Sequence, residues 1–386
     1  MKTEQYLHRY ADGWVRPPVG VLDSDSTMVW VFGSSNYLGR SDVFEELERI
    51  FPKSTVLGCS GGGVIWNDEV LENALLACVC KFERAKVWHC AWIREGQISD
   101  ERIGKLLGQA LLTRGSPQSV MMMADGLKSK EEPLLRGLQL AGLEQIPIWG
   151  GMAGDGSQFR QTWVYCSHQL ASQGVIVVGL AGSELRVRCG KGGGWKVLGP
   201  RRTVTSSRGN QVFAMDNRSI LEIYTDYLGD LSAELPAIGA RYPLMVKCKG
   251  NSKSETLRSV LSVDRRTQSM CFAGEVPEGS SVQMMRGDLQ SLLSGAREVA
   301  VDVSHGADSV TEGVVIACNC IGRRMVLGQQ ADLELDAVRA VVPEAVPIIG
   351  FYSMGEIAPL QWNEPSAFLN ETLTLTYIAE ANGSPD

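Results

Sequence analysis

Three times along this chain an apolar strand runs into a glycine-bearing turn, and that recurrence limits the folds open to it. The first copy is Thr55-Val-Leu-Gly-Cys-Ser-Gly-Gly-Gly-Val-Ile65. The second is Pro347-Ile-Ile-Gly-Phe-Tyr-Ser-Met-Gly-Glu-Ile357. Both read as two apolar residues, Gly, four residues, Gly, one residue, Ile. A shorter version is Pro147-Ile-Trp-Gly-Gly-Met-Ala-Gly-Asp155. A strand, a helix and a second strand joined this way make a β-α-β unit, because parallel strands need a crossover. Similar units far apart in one chain predict one surface built more than once.

The flanking residues support this. Met28–Phe32 is an all-apolar strand, Asp42 caps a helix carrying Phe44, Leu47 and Ile50, and Pro52 ends it before the first glycine turn. Val120–Gly126, a helix over Glu131–Ala141 and Pro147–Asp155 repeat that order. Gly313–Cys318, a helix over Leu333–Val342 and Pro347–Ile357 repeat it again. Between them Ser99 caps a helix to Leu112, and residues 159–213 alternate as antiparallel strands. Helices are expected over Ser219–Leu228 and Gly287–Val299. Residues 1–20 read as irregular, Lys191-Gly-Gly-Gly-Trp195 as a mobile loop or hairpin tip, and Asn319-Cys-Ile-Gly-Arg-Arg324 as a polar turn. Asn370–Tyr377 reads as a closing edge strand. The 28–65 and 313–357 blocks match best. The expected fold is therefore α/β: duplicated β-α-β units forming two mixed sheets, with additional antiparallel strands.

Composition decides the broad class. With 386 residues, 44% hydrophobic and 21% charged, the chain has the make-up of a globular protein of two or three domains. A formal charge of −7 argues against a nucleic-acid partner, which calls for a basic surface. The start is polar and lacks an apolar signal core, and no run approaches the ~18 apolar residues of a membrane span. A cytoplasmic location is expected. The ten cysteines form no C-x-x-C pair, so zinc-ribbon and thioredoxin-type motifs are absent. Most sit in apolar runs as buried free thiols. The pairs Cys78/Cys80 and Cys318/Cys320 each point to one face of a strand.

Chemistry concentrates at the glycine turns. Turns beyond strand ends are where α/β sheets place their ligands. The loop holding Cys59, Ser60, Gly61, Gly62 and Gly63 can present backbone N–H groups. It lacks the lysine of a nucleotide-binding P-loop. Glu356 and Asp155 supply carboxylates, with a turn-internal hydrogen bond the plainer role for Asp155. Arg323 can pair with an acidic ligand or with Glu356. Cys59 is the one candidate nucleophile, but no G-x-S-x-G elbow and no assembled base accompany it. Of the four histidines, His89 and His168 are candidate axial ligands for a haem, with no C-x-x-C-H for covalent attachment.

Taken together these residues resemble the FIST family. The N-terminal hallmarks are Val56-Leu-Gly-Cys-Ser60, Gly150-Gly-Met-Ala-Gly-Asp-Gly156 and Gly174-Val-Ile-Val-Val-Gly-Leu180. The C-terminal ones are Phe272–Gly279, Cys320-Ile-Gly-Arg-Arg324, Ile349–Ile357 and Thr372-Leu-Thr-Leu375. The resemblance implies a FIST N-terminal domain over 27–215 and a FIST C-terminal domain over 216–380, after an extension at 1–26. It implies an intracellular sensory protein that binds a small ligand such as an amino acid and signals through a separate partner, such as a histidine kinase. Some stand-alone bacterial members of the family bind haem and sense nitric oxide, so haem b enters as a cofactor. The expected site comprises Cys59, Ser60, Gly61–Gly63, Asp155, Arg323, Tyr352 and Glu356. Two positions depart from the pattern: Val64 replaces a common glutamate, and Leu369 stands where a histidine is common. The rival class is a thiol-dependent enzyme using Cys59.

Overall fold

A computed structural model describes all residues except 95, 167, 249–254, 305–311, 362–363 and 382–386, so His305 lies outside the described residues. The chain folds as three similar units. The first comprises strands Lys2–Arg9 and Thr27–Ser34, helix α1 (Ser41–Ile50), strand Thr55–Gly61, the hairpin Val64–Trp66/Glu69–Leu71, and strand Ala74–Lys81. The second runs Lys86–Ile93, α2 (Asp100–Arg114), Ser119–Ala124, α3 (Glu131–Leu138), Ile148–Met152, the hairpin Val164–Cys166/Gln169–Ala171, and Gly174–Ala181. The third opens with Leu185–Gly192. An inserted antiparallel sheet over 196–286, carrying α4 (Ile220–Leu228), then interrupts it. It resumes with α5 (Leu289–Ser304), Gly313–Cys320, α6 (Ile321–Leu327), α7 (Asp332–Arg339), Ile348–Ser353, the hairpin Glu356–Pro359/Ser366–Leu369, and Leu373–Glu380.

Each unit contributes one parallel pair, and the registers are equivalent. Gly58 lies opposite Val31, Gly150 opposite Met122, and Gly350 opposite Ala317. At each of the three, a Cβ would collide with the carbonyl oxygen of that opposite residue. The glycine recurs because the neighbouring backbone occupies the side-chain position.

The hairpins tie the units together. The first unit's hairpin pairs with Ile348–Ser353, the second's with Thr55–Gly61, and the third's with Ile148–Met152. Every sheet is thus completed by another unit, in cyclic order. The α/β class and mixed sheets are as the sequence predicts, but three sheets carry a parallel pair rather than two. The second unit's copy is obscured in sequence because residues 156–162 loop out before its hairpin, breaking the spacing that marks the other two.

The three sheets turn one face toward a shared apolar core. Trp30, Phe32 and Cys59 from the first meet Met121, Met123 and Trp149 from the second and Ile316, Cys318 and Phe351 from the third. Phe32 stacks on Phe351 with ring centroids 5.1 Å apart. Alternate residues face outward and pack under α1 in the first sheet, α2 and α3 in the second, and α5 and α7 in the third. Both faces are buried, which explains the near-continuous apolar runs.

Several local expectations change. Residues 1–20 are not irregular throughout: Lys2–Arg9 pairs along its length with Ala74–Lys81, a polar strand held by ladder hydrogen bonds. Residues 319–324 are not a turn; the strand continues to Cys320 and α6 starts at Ile321. The glycine tract at 191–195 is not a hairpin tip, because the chain passes there into the inserted sheet. It lies against α5, where Gly194 and Gly295 approach so closely that a Cβ on either would meet the other segment's backbone. Leu373–Glu380 is internal, between Leu185–Gly192 and Gly313–Cys320, rather than an edge. Ser99 caps α2 as expected, accepting from Arg102 N, whereas Asp42 lies in the first turn of α1 rather than at its cap. All ten cysteines are free, and the Cys78 and Cys80 sulfurs are 3.8 Å apart on one face.

Candidate functional site

The glycine turns converge. Gly62 N donates to Tyr352 O at 2.7 Å, Gly154 N to Ser60 O at 2.9 Å, and Met354 N to Met152 O at 3.1 Å. Donor and acceptor occupy equivalent positions in the three copies, so the three strand ends close a cyclic set of backbone bonds. Much of the polar backbone that could meet an anion is satisfied by its own neighbours.

The expected site residues separate around this joint. Cys59 is fully buried in the shared core, where burial pushes its thiol well above the usual range and Cys318 adds to the effect. A nucleophile needs the thiolate and access, and this environment provides neither. Ser60 Oγ accepts from Trp163 N at 3.0 Å, fixing the start of the second hairpin. Arg323 is fully buried and saturated. It pairs with Glu334 through Nε at 3.0 Å and through Nη2, and donates to the carbonyls of Gly193 and Leu292. It does not pair with Glu356. Its neighbour Arg324 is the partly exposed one, reaching Gly62 O and Glu72 with its guanidinium 5.3 Å from the Tyr352 ring centroid. Tyr352 and Glu356 are buried. Glu356 accepts from Ser353 Oγ and from Thr372 N, and burial holds its carboxyl well above the usual range, with nearby Glu371 adding. Val64 and Leu369, the two departures, are both buried, and Leu369 lies opposite Glu356 in the strand register.

Two cavities flank the start of α6. The first, of about 490 Å³, is open and polar. Gly61, Gly62, Asp155, Ser35 and Arg324 line it, together with Ile321 and Met325. Gly63, alongside, packs against Arg324 and Tyr352. Asp155 shapes the rim by accepting from the backbone N–H groups of Phe159, Arg160 and Gln161. The second cavity, of about 270 Å³, lies between α6 and the inserted sheet and shares Ile321 and Met325 with the first. Its walls are apolar, and Glu371 is its one charged residue among the described lining. Burial raises the Glu371 carboxyl to about 7. Sequence reasoning missed Glu371, Ser259 and the apolar cavity, because the inserted sheet that closes it comes from elsewhere in the chain. The available signal was a lone glutamate between Ala367-Phe-Leu369 and the alternating Leu373-Thr-Leu375.

The histidine candidates sit elsewhere. His89 and His168 line one cleft of about 170 Å³ beside Glu48 and Val56. The His168 side chain is 84% exposed with its Nδ1 against Glu48, while burial lowers the His89 imidazole. A cleft of this size, with one of its two histidines largely exposed, does not enclose a macrocycle. These residues do not fit a haem, and no chemistry is routed through one.

Backbone-satisfied strand ends and two adjoining cavities make this an α/β module with room for a small molecule beside α6. The chain belongs to the FIST family: residues 27–218 match the FIST N domain and residues 221–359 the FIST C domain. FIST domains are sensory domains that bind small ligands in signalling. A comparison with curated proteins finds none that matches the chain. Among the described residues no helix is long and apolar enough to cross a membrane.

Proposed function

We propose that this protein receives a small ligand at the start of α6 and passes the signal to a separate partner, such as a histidine kinase. One observation carries the reading: Ile321 and Met325 of α6 belong to the walls of both cavities, so an occupant of either bears on the same helix. Arg323, one turn position away, ties that helix to α5, to α7 and to the strand ending at Gly192. A ligand that favours one placement of α6 shifts the population presented to a partner by its differential affinity. The partner class is supported by the family resemblance, as is a cytoplasmic setting.

The test is ligand binding by the full chain and by Met325→Trp, which fills the shared mouth. A small molecule retained through purification, or found by thermal-shift screening, is expected to bind at least tenfold more weakly to the variant. Circular dichroism should remain unchanged. Undiminished binding by the variant removes α6 from the site, and failure of any small molecule to bind overturns the reading. Added ligand should change the autophosphorylation rate of the partner kinase. A haemin titration that produces a Soret band sensitive to nitric oxide would instead favour the gas-sensing reading.

A further inference from the structure

Glu371 is held in a costly position by its surroundings. Its backbone adopts φ +54°, the left-handed region that a glutamate rarely enters. Two side chains from elsewhere in the chain fix its carbonyl: Trp195 Nε1 donates to Glu371 O at 2.7 Å, and Arg323 Nη1 at 3.4 Å. The carboxylate is fully buried at the floor of the 270 Å³ cavity. Ser259 Oγ donates to Oε1 at 2.7 Å, whereas the buried Oε2 has no hydrogen-bond partner among the described residues. Gly322 makes this placement sterically possible, since a Cβ there would collide with the carboxylate. A buried oxygen left unpaired is costly, because its hydration is lost without replacement.

None of the charged and titratable groups around it donates to Oε2 among the described residues. Arg323 of α6 favours the carboxylate through its charge, but its N–H groups go to Glu334 and to backbone carbonyls, Glu371 O among them. Glu356, in the strand Glu356–Pro359, is itself pushed upward by burial and brings no countercharge. Cys320, at the end of its strand, is a buried thiol. The remaining walls are apolar, including Val260, Leu261, Met325 and Met354.

We infer that this cavity binds a small molecule with a primary ammonium group and an apolar body, the ammonium donating to Oε2 of Glu371. The inference rests on the small-ligand reading above and names the ligand class. One free oxygen suits a compact ammonium better than a planar guanidinium, which seeks a bidentate partner. An α-amino acid would bring its own carboxylate among apolar walls, and no cation lines the cavity among the described residues to receive it.

Calorimetry on the full chain with three probes tests this: 2-phenylethylamine, 2-phenylethanol and phenylalanine. At pH 8 the amine should bind at least tenfold more tightly than the alcohol and the amino acid. Its affinity should fall about tenfold from pH 8 to pH 6, as a carboxyl titrating near 7 takes up its proton. Glu371→Gln should erase the difference between amine and alcohol. Ser259→Ala removes a bond to the carboxylate, so the pH midpoint should rise; this second variant serves if Glu371→Gln does not fold. Equal affinity for amine and alcohol, or an unchanged pH profile in both variants, overturns the ammonium assignment. In that case binding of the alcohol, still weakened by Met325→Trp, preserves the small-ligand reading. If none of the three probes binds while another ligand is retained, the ammonium assignment fails alone.

Discussion

Glu371 and Arg323 show how two charged side chains in one fold serve opposite ends. Burial raises the Glu371 carboxyl above its unfolded value, so folding takes up a proton there. Its stabilising contribution is complete below the unfolded pKa and is lost as pH rises through about 7. The urea midpoint of the unliganded protein should therefore fall more steeply between pH 5 and pH 8 than that of Glu371→Gln. Arg323, by contrast, is matched by Glu334 at zero exposure of both side chains. Arg323→Ala should cost about 3–5 kcal/mol in denaturant unfolding, because Glu334 is left charged and unpaired. The sequence presents Arg323-Arg324 as two equivalent cations. Helix phase decides between them: where a turn was expected, α6 directs the first arginine inward and the second toward the open cleft.

At the scale of elements, the glycine turns are joints between sheets rather than ligand loops alone. Each strand passes through its glycine and hands its hairpin to the next sheet. Gly58→Ala, Gly150→Ala and Gly350→Ala should each leave the protein insoluble or lower its melting temperature by 10 °C or more, because the added methyl group meets the backbone of a parallel neighbour. Gly39→Ala is the control: nothing lies within 4 Å of a Cβ there, and the melting temperature should move by about 2 °C or less. The strands, most helices and the glycine spacing were legible because each is a local pattern. The strand at Lys2–Arg9 was not, since its polar sequence becomes a strand only through the ladder to Ala74–Lys81. The close contact of the 191–195 glycines with α5 was hidden for the same reason.

At the scale of the molecule, the cyclic exchange of hairpins makes the three units interdependent. A chain ending after residue 182 lacks Ile348–Ser353, the partner of Val64–Trp66, and lacks the hairpin that completes the second sheet. It should show little cooperative unfolding by circular dichroism. Phe351→Ala, which removes a ring stacked on Phe32, should cost about 3–5 kcal/mol. It should lower hydrogen-exchange protection in all three sheets, because their inner faces share one core. By itself the sequence determined the α/β class, the repeated strand-helix-strand order and the glycine at each strand end, since these follow from apolar period and local sterics. Only the tertiary structure decided that three sheets, not two, are built from these units and that Cys59 faces the core. It alone also set Glu371, not Glu356, at the floor of the apolar cavity. Those outcomes depend on which distant segment covers a residue, and burial by a distant segment leaves no trace in local spacing.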